Sequence, residues 1–310
     1  MKIFALIFFL CIFFSAEGCK KDNPVSSQKS PPPYDSTTVY YLATIFGVQP
    51  LRSYEFYVLW TKILPDTSWQ MIAPLTVSSS NADGSVVMVG KFSSKEPLDS
   101  LKDVLMTLEQ TPAPLIPGLP IVHGGIFYLD SAKKQVTTSL DSKSTLGDFS
   151  ALNGGLVFTS PLSDSLAYTH EFYLMNLLGL KQSPSLLSLN IPPQGWKYGL
   201  WAIDLQFTPH EYFFYGLFST PEGHDSDSAN DHYPYPGGWK PQQMNMPSGS
   251  IIVTLEPIFY GDSLKFKGPS SFTLLQFNRI QFIEKDKNYP MENVSLLGVP
   301  RSGTITFNKY

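Results

Sequence analysis

With 310 residues, a net charge of −4 and no basic cluster longer than a Lys pair, the chain gives a phosphate backbone nothing to hold, so nucleic acid is excluded as a partner. Charged residues make up 15% and aromatics 14%, with 16 Tyr, 22 Phe and 26 Pro. That balance favours a strand-rich fold with many turns over a helical bundle, because aromatic and β-branched side chains suit a half-buried pleated surface.

The amino terminus carries an apolar run from Ile3 to Phe14 behind Lys2, closed by Ala16-Glu17-Gly18-Cys19-Lys20-Lys21-Asp22. The run is well short of the roughly 20 residues that span a hydrocarbon core, and small residues follow it as a cleavage site requires. This is the layout of a bacterial lipoprotein signal, with the mature chain starting at a lipidated Cys19. An ordinary secretory signal followed by an ordinary thiol is the plainer alternative, and Glu17 fits the usual cleavage motif imperfectly. Cys11 falls inside the removed segment, which leaves no partner for an intrachain disulfide or thiolate metal site. Acyl chains on Cys19 would hold the protein at a bilayer, each buried methylene contributing about 0.8 kcal/mol.

The stretch after Cys19 holds Ser26, Ser27, Ser30 and Pro31-Pro32-Pro33, a composition that buries no apolar surface and predicts an extended tether. Beyond it, strands are expected near 39–46, 54–61, 85–92, 104–108, 125–129 and 156–159. The second half offers 171–176, 196–205, 212–218, 250–255, 272–277 and 304–307. Short helical turns are expected over 97–105 and 183–189. Pro257 directly after Glu256 suggests that the Thr-Leu-Glu element ends an edge strand.

The halves look like one unit written twice. Tyr41-Leu42 answers Tyr173-Leu174, and Tyr57-Val58-Leu59-Trp60 answers Tyr198-Gly199-Leu200-Trp201. Gly90-Lys91-Phe92 answers Gly216-Leu217-Phe218, Met106-Thr107-Leu108-Glu109 answers Val253-Thr254-Leu255-Glu256, and Asn153 to Phe158 answers Ser302 to Phe307. Preserved order with changing offset is expected when loops differ and strands do not. The predicted fold class is all-β, two tandem antiparallel β-sandwich (Ig-like) domains. The predicted divisions are a lipoprotein signal peptide at 1–18, a disordered tether at 19–38, and β-sandwich repeats at 39–163 and 164–310. Trp60 and Trp201 are expected in the core.

The segment Gly195-Trp196-Lys197-Tyr198-Gly199-Leu200-Trp201, then Gly216-Leu217-Phe218, then Val253-Thr254-Leu255-Glu256-Pro257, resembles the extracytoplasmic carboxy-terminal domain of anti-sigma-K factors and related bacterial lipoproteins. The resemblance covers roughly 171–277 and implies a β-sandwich on the sensor side of the envelope. The sigma-binding segment and membrane-spanning helix of such regulators have no counterpart in the sequence, so sigma-factor binding is not carried over.

His123, His170, His210, His224 and His232 sit in no nucleophile elbow, His-Glu-x-x-His helix or phosphate-cradling loop. A triad assembled from distant residues stays open, because catalytic groups need spatial proximity only. The densest local chemistry is Glu222, His224, Asp225, Asp227, Asp231 and His232, whose oxygens suit Ca²⁺ and whose imidazoles suit Zn²⁺. A solvated acidic loop is the favoured reading, with no cofactor required. Asp-Ser followed by a small or aliphatic residue or Thr, at Ser36, Ser100, Ser131, Ser165, Ser228 and Ser263, resembles the O-glycan acceptor triplet of exported Bacteroidota proteins. Exposed turns explain the same pattern without a glycan.

The sequence therefore points to a non-enzymatic cell-envelope lipoprotein, facing the periplasm or on the outer membrane. Its expected partners are the membrane, through the N-terminal lipid, and an unidentified protein or glycan. An envelope hydrolase with a site between the halves and a sensor-side relative of anti-sigma regulators are the alternatives.

Overall fold

The computed structural model describes residues 38–75, 85–93, 96–132, 135–159, 171–186, 188–205, 208–222, 235–239, 249–259, 268–278 and 283–308. They form an all-β architecture of antiparallel sheets, a near-barrel and a half-barrel.

Eight strands come from the first half: β1 (Thr38–Phe46), β2 (Phe56–Ile63), β3 (Trp69–Leu75), β4 (Ser85–Ser93), β5 (Leu101–Glu109), β6 (Ile121–Asp130), β7 (Gln135–Asp141) and β8 (Gly154–Phe158). The second half gives β9 (Glu171–Tyr173), a hairpin of β10 (Met175–Leu178) and β11 (Lys181–Pro184), then β12 (Trp196–Asp204), β13 (Glu211–Phe218) and β14 (Gly237–Trp239). It continues with β15 (Gly249–Pro257), β16 (Thr273–Asn278), β17 (Asn288–Asn293) and β18 (Ser302–Asn308).

Local sequence accounts for the strands. In β1, Val39, Tyr41, Ala43 and Ile45 alternate into the core while their neighbours face outward, the period-2 pattern of a half-buried strand. Strand β15 is buried at every position, so its polar side chains Ser250, Thr254 and Glu256 require internal partners. The turn expected over 97–105 reduces to a single 3₁₀ turn at Leu98–Ser100, because Leu101 already begins β5. No helix forms over the described part of 183–189, where Lys181–Pro184 pairs with β10 instead.

The sheet orders are β3-β2-β5-β6-β7-β18-β1-β4 and β13-β12-β15-β16-β17-β8-β9-β14. The second order repeats the first strand for strand, except that the last strand of each half lies in the other half's sheet. β18 runs between β7 and β1, and β8 between β17 and β9. The division expected at 163/164 lies outside the described residues, and this exchange joins the chain on either side of it.

The exchanged strands carry equivalent aromatic anchors. Phe307 of β18 packs its ring against Phe127 at 5.4 Å, Phe92 at 5.9 Å and Tyr41 at 6.0 Å. Phe158 of β8 does the same in the second sheet with Phe172 and Tyr289, each at 5.7 Å. Tilted and edge-on ring pairs at these separations contribute about 0.5–1.5 kcal/mol each beyond their buried area. One apolar cluster runs through both sheets, and the described residues belong to one compact unit.

Two of the sequence matches are corrected by the pairing. Tyr41 stands opposite Phe307, whereas Phe158 stands opposite Phe172, so the residue equivalent to Tyr41 is Phe172 and not Tyr173. A slip of one residue turns a side chain to the other face of the sheet. Gly90-Lys91-Phe92 and Gly216-Leu217-Phe218 lie on strands that do not correspond, since β4 borders β1 while β13 borders β12. The counterpart of β13 is β3, and both carry a bulge at the same place, beside Leu59/Trp60 and beside Leu200/Trp201. The edge-strand expectation for Thr-Leu-Glu also fails, because β5 and β15 each pair on both sides.

Candidate functional site

Two equivalent polar networks form where β2 meets β5 and where β12 meets β15. Trp60 and Trp201 are each 1% exposed, as expected, yet both project from the face opposite Tyr57 and Leu59 or Tyr198 and Leu200 and lie outside the apolar cluster. Each indole therefore needs an acceptor. Trp60 Nε1 donates to Thr107 Oγ1 at 2.8 Å, and Thr107 donates on to Glu109 Oε1 at 2.5 Å. Trp201 Nε1 donates to Glu256 Oε1 itself at 3.0 Å, while Thr254 donates to the same oxygen at 2.5 Å. A backbone N–H from the following loop completes each set, Gly118 to Glu109 Oε1 at 2.6 Å and Ser270 to Glu256 Oε1 at 2.9 Å.

The second oxygens differ. Glu256 is 0% exposed, and its Oε2 accepts Arg52 Nη1 at 3.3 Å from the loop between β1 and β2. Arg52 also donates through Nε to Glu55 Oε1 at 2.7 Å and through Nη1 to the Gly268 carbonyl at 3.1 Å. Burial pushes the Glu256 carboxyl above its ordinary range, against the pull of Arg52, Ser270, Thr254 and Trp201. For Arg52 burial opposes the charge, and Glu55 and Glu256 outweigh it, so its guanidinium is held more firmly protonated than usual. Convergent charged groups with shifted pKa values are the pattern expected of an enzyme in the zone between the halves. Here, however, the Glu256 oxygens are spent on internal donors in a sealed position, which makes this cluster a structural clamp between the halves.

Glu109 is 7% exposed and borders a cavity of about 200 Å³ whose other walls include Gly118, Leu119, Pro120, Ile258 and Phe259. Burial raises its carboxyl pKa, and the hydrogen bonds from Thr107 and Gly118 pull the other way. Its Oε2 accepts no hydrogen bond, and no cation pairs with it among the described residues. A Cβ on Gly118 would lie 2.7 Å from that oxygen, so the glycine lets the loop close over the carboxylate. Sequence reasoning singles out Glu109 only as part of the repeat and does not find Arg52 at all. The signal that marks the site is the duplicated Thr-x-Glu at strand ends buried on both faces.

His123 is fully buried on β6 with neither ring nitrogen hydrogen-bonded. Burial pushes its pKa down to about 4, and neighbouring Asp141 opposes this.

Of the residues singled out from the sequence, Glu222 lies exposed in the turn after β13. His224, Asp225, Asp227, Asp231 and His232 lie outside the described residues, as do Cys19, Ser36, Ser165, Ser228 and Ser263. Ser100 ends the 3₁₀ turn with its hydroxyl on the Pro97 carbonyl at 2.5 Å, and Ser131 is exposed in the turn after β6. Among the described residues, no group of three or more His, Cys, Asp or Glu side chains is placed to hold a metal ion. None of their helices is long and apolar enough to cross a membrane. Comparisons with protein families, with curated proteins and with solved structures find no match to this chain.

Proposed function

We propose that the protein is a lipid-anchored binding module of the cell envelope. An acylated Cys19 and the tether at 19–38 would hold it at a bilayer, and a duplicated pair of Ig-like sandwich units would present a recognition site to a protein or glycan partner. The observation that carries the binding reading is the Glu109 cavity. A carboxylate fixed by Thr107 and the Gly118 N–H keeps one oxygen for an incoming group, among walls that are mostly apolar. Few fixed polar groups in an apolar concavity is the composition of a ligand site. Glu109 is the one titratable side chain in the described lining, which suits recognition better than acid–base chemistry with two groups in named roles.

The test is an amide NMR screen of the mature chain against small cationic, anionic and neutral fragments. Binding shifts clustered on residues 109–120 and 258–259 are expected. Shifts confined to other regions, or none with any fragment, would contradict the reading.

A further inference from the structure

We infer that the Glu109 cavity recognises a guanidinium group. The inference rests on the binding reading above and names its ligand class.

The two corresponding carboxylates differ in one oxygen. In both, Oε1 accepts a threonine hydroxyl at 2.5 Å two residues earlier on the same strand, and a backbone N–H from the loop that follows. In the second network the chain answers the remaining oxygen with its own guanidinium, Arg52 to Glu256 Oε2. In the first network that oxygen has no partner among the described residues and stays accessible to solvent, on a residue that is 7% exposed, and a cavity stands beside it. Partial burial disfavours the charged form of Glu109, and a cation seated beside its open oxygen offsets that cost.

Size and wall chemistry narrow the class. A space of about 200 Å³ falls below the roughly 300–1,000 Å³ of cofactor-sized pockets but exceeds the ~150 Å³ that holds a benzene ring. It has room for the head of one side chain. An ammonium is a strongly hydrated point charge, whereas a guanidinium is planar, weakly hydrated and stacks on rings and apolar surface. Phe259, Pro120 and Leu119 supply such surface, and Glu109 Oε2 supplies the acceptor.

The ligand could be a free small guanidine or an arginine side chain of a partner protein, and two probes separate these sources. n-Butylguanidine represents the first and acetyl-Gly-Arg-Gly-amide the second, with n-butylamine and the Lys peptide as matched ammonium controls. Titrated into the mature chain and followed at the Gly118 and Leu119 amides, at least one guanidinium probe is expected to bind about tenfold or more tighter than its control. Glu109→Gln is expected to weaken that probe by about tenfold or more, while the amide spectrum elsewhere stays that of the wild type. Should Glu109→Gln fail to fold, Phe259→Ala, which removes the stacking wall and keeps the carboxylate, is expected to narrow the preference over ammonium. Equal binding of guanidinium and ammonium, or binding unaffected by the substitution used, would overturn the inference. Anionic or neutral fragments alone binding at the cavity would overturn it and leave the binding reading standing. No fragment of any class binding there would remove both.

Discussion

Trp201 donates its indole hydrogen straight to Glu256, and it can do so because residue 199 between them is glycine. A Cβ on Gly199 would lie 2.7 Å from Glu256 Cγ and 3.0 Å from both Thr254 Oγ1 and Trp201 Nε1. In the first half the corresponding residue is Val58, opposite Thr107 as Gly199 is opposite Thr254, and there the indole reaches the threonine instead. Gly199→Val is therefore expected to force the carboxylate off Trp201 and to destabilise the protein by about 1–3 kcal/mol, the usual cost of overpacking. Urea unfolding measures this, and a change within about 0.5 kcal/mol would show that the site relaxes freely.

Arg52 is the sole cation paired with Glu256 among the described residues. Arg52→Met leaves a fully buried carboxylate uncompensated, and removing one partner of a buried pair costs about 3–5 kcal/mol. The double variant Arg52→Met/Glu256→Gln is expected to recover a large part of that loss, since the amide carries no charge to pair. Full additivity of the two single losses in a double-mutant cycle would contradict the clamp.

His123 contributes to the acid limb of stability. Its folded pKa near 4 lies below the ordinary value of 6.5, so between those limits the unfolded chain binds a proton that the folded chain refuses. Stability from this group is full above pH 6.5 and falls progressively toward pH 4, by about 3 kcal/mol in all. The raised carboxyl pKa values of Glu109 and Glu256 act in the opposite sense, since the folded chain holds those protons more tightly as pH falls. His123→Leu removes two unsatisfied nitrogens and is expected to be neutral or stabilising at pH 7. Its advantage over wild type should grow as pH drops to 4, read by thermal unfolding across a pH series, and parallel curves would refute the assignment.

The alternating strands were legible because their signal is local. Val39 to Ile45 and Ser85 to Phe92 announce themselves within a few residues. Strands β3 and β17 are harder to read because each contains a proline, Pro74 and Pro290, and β7 because Gln135, Thr137 and Ser139 dilute its apolar face. The strand exchange is invisible for another reason: β8 and β18 look alike, and nothing within a strand says which sheet receives it. The clamp spans 204 residues from Arg52 to Glu256, a distance that no periodicity bridges. Glu109 could be seen as half of a repeated Thr-x-Glu, but the difference between a paired and an unpaired oxygen exists only in three dimensions.

Anchoring is the claim on which the envelope assignment stands, and detergent phase partitioning of cells expressing wild type and Cys19→Ser tests it most directly. Wild type is expected in the detergent phase, Cys19→Ser in the aqueous phase, and the two proteins are expected to unfold alike, because Cys19 precedes the first described strand and its proposed role is acylation. Wild type and variant together in the aqueous phase would contradict it.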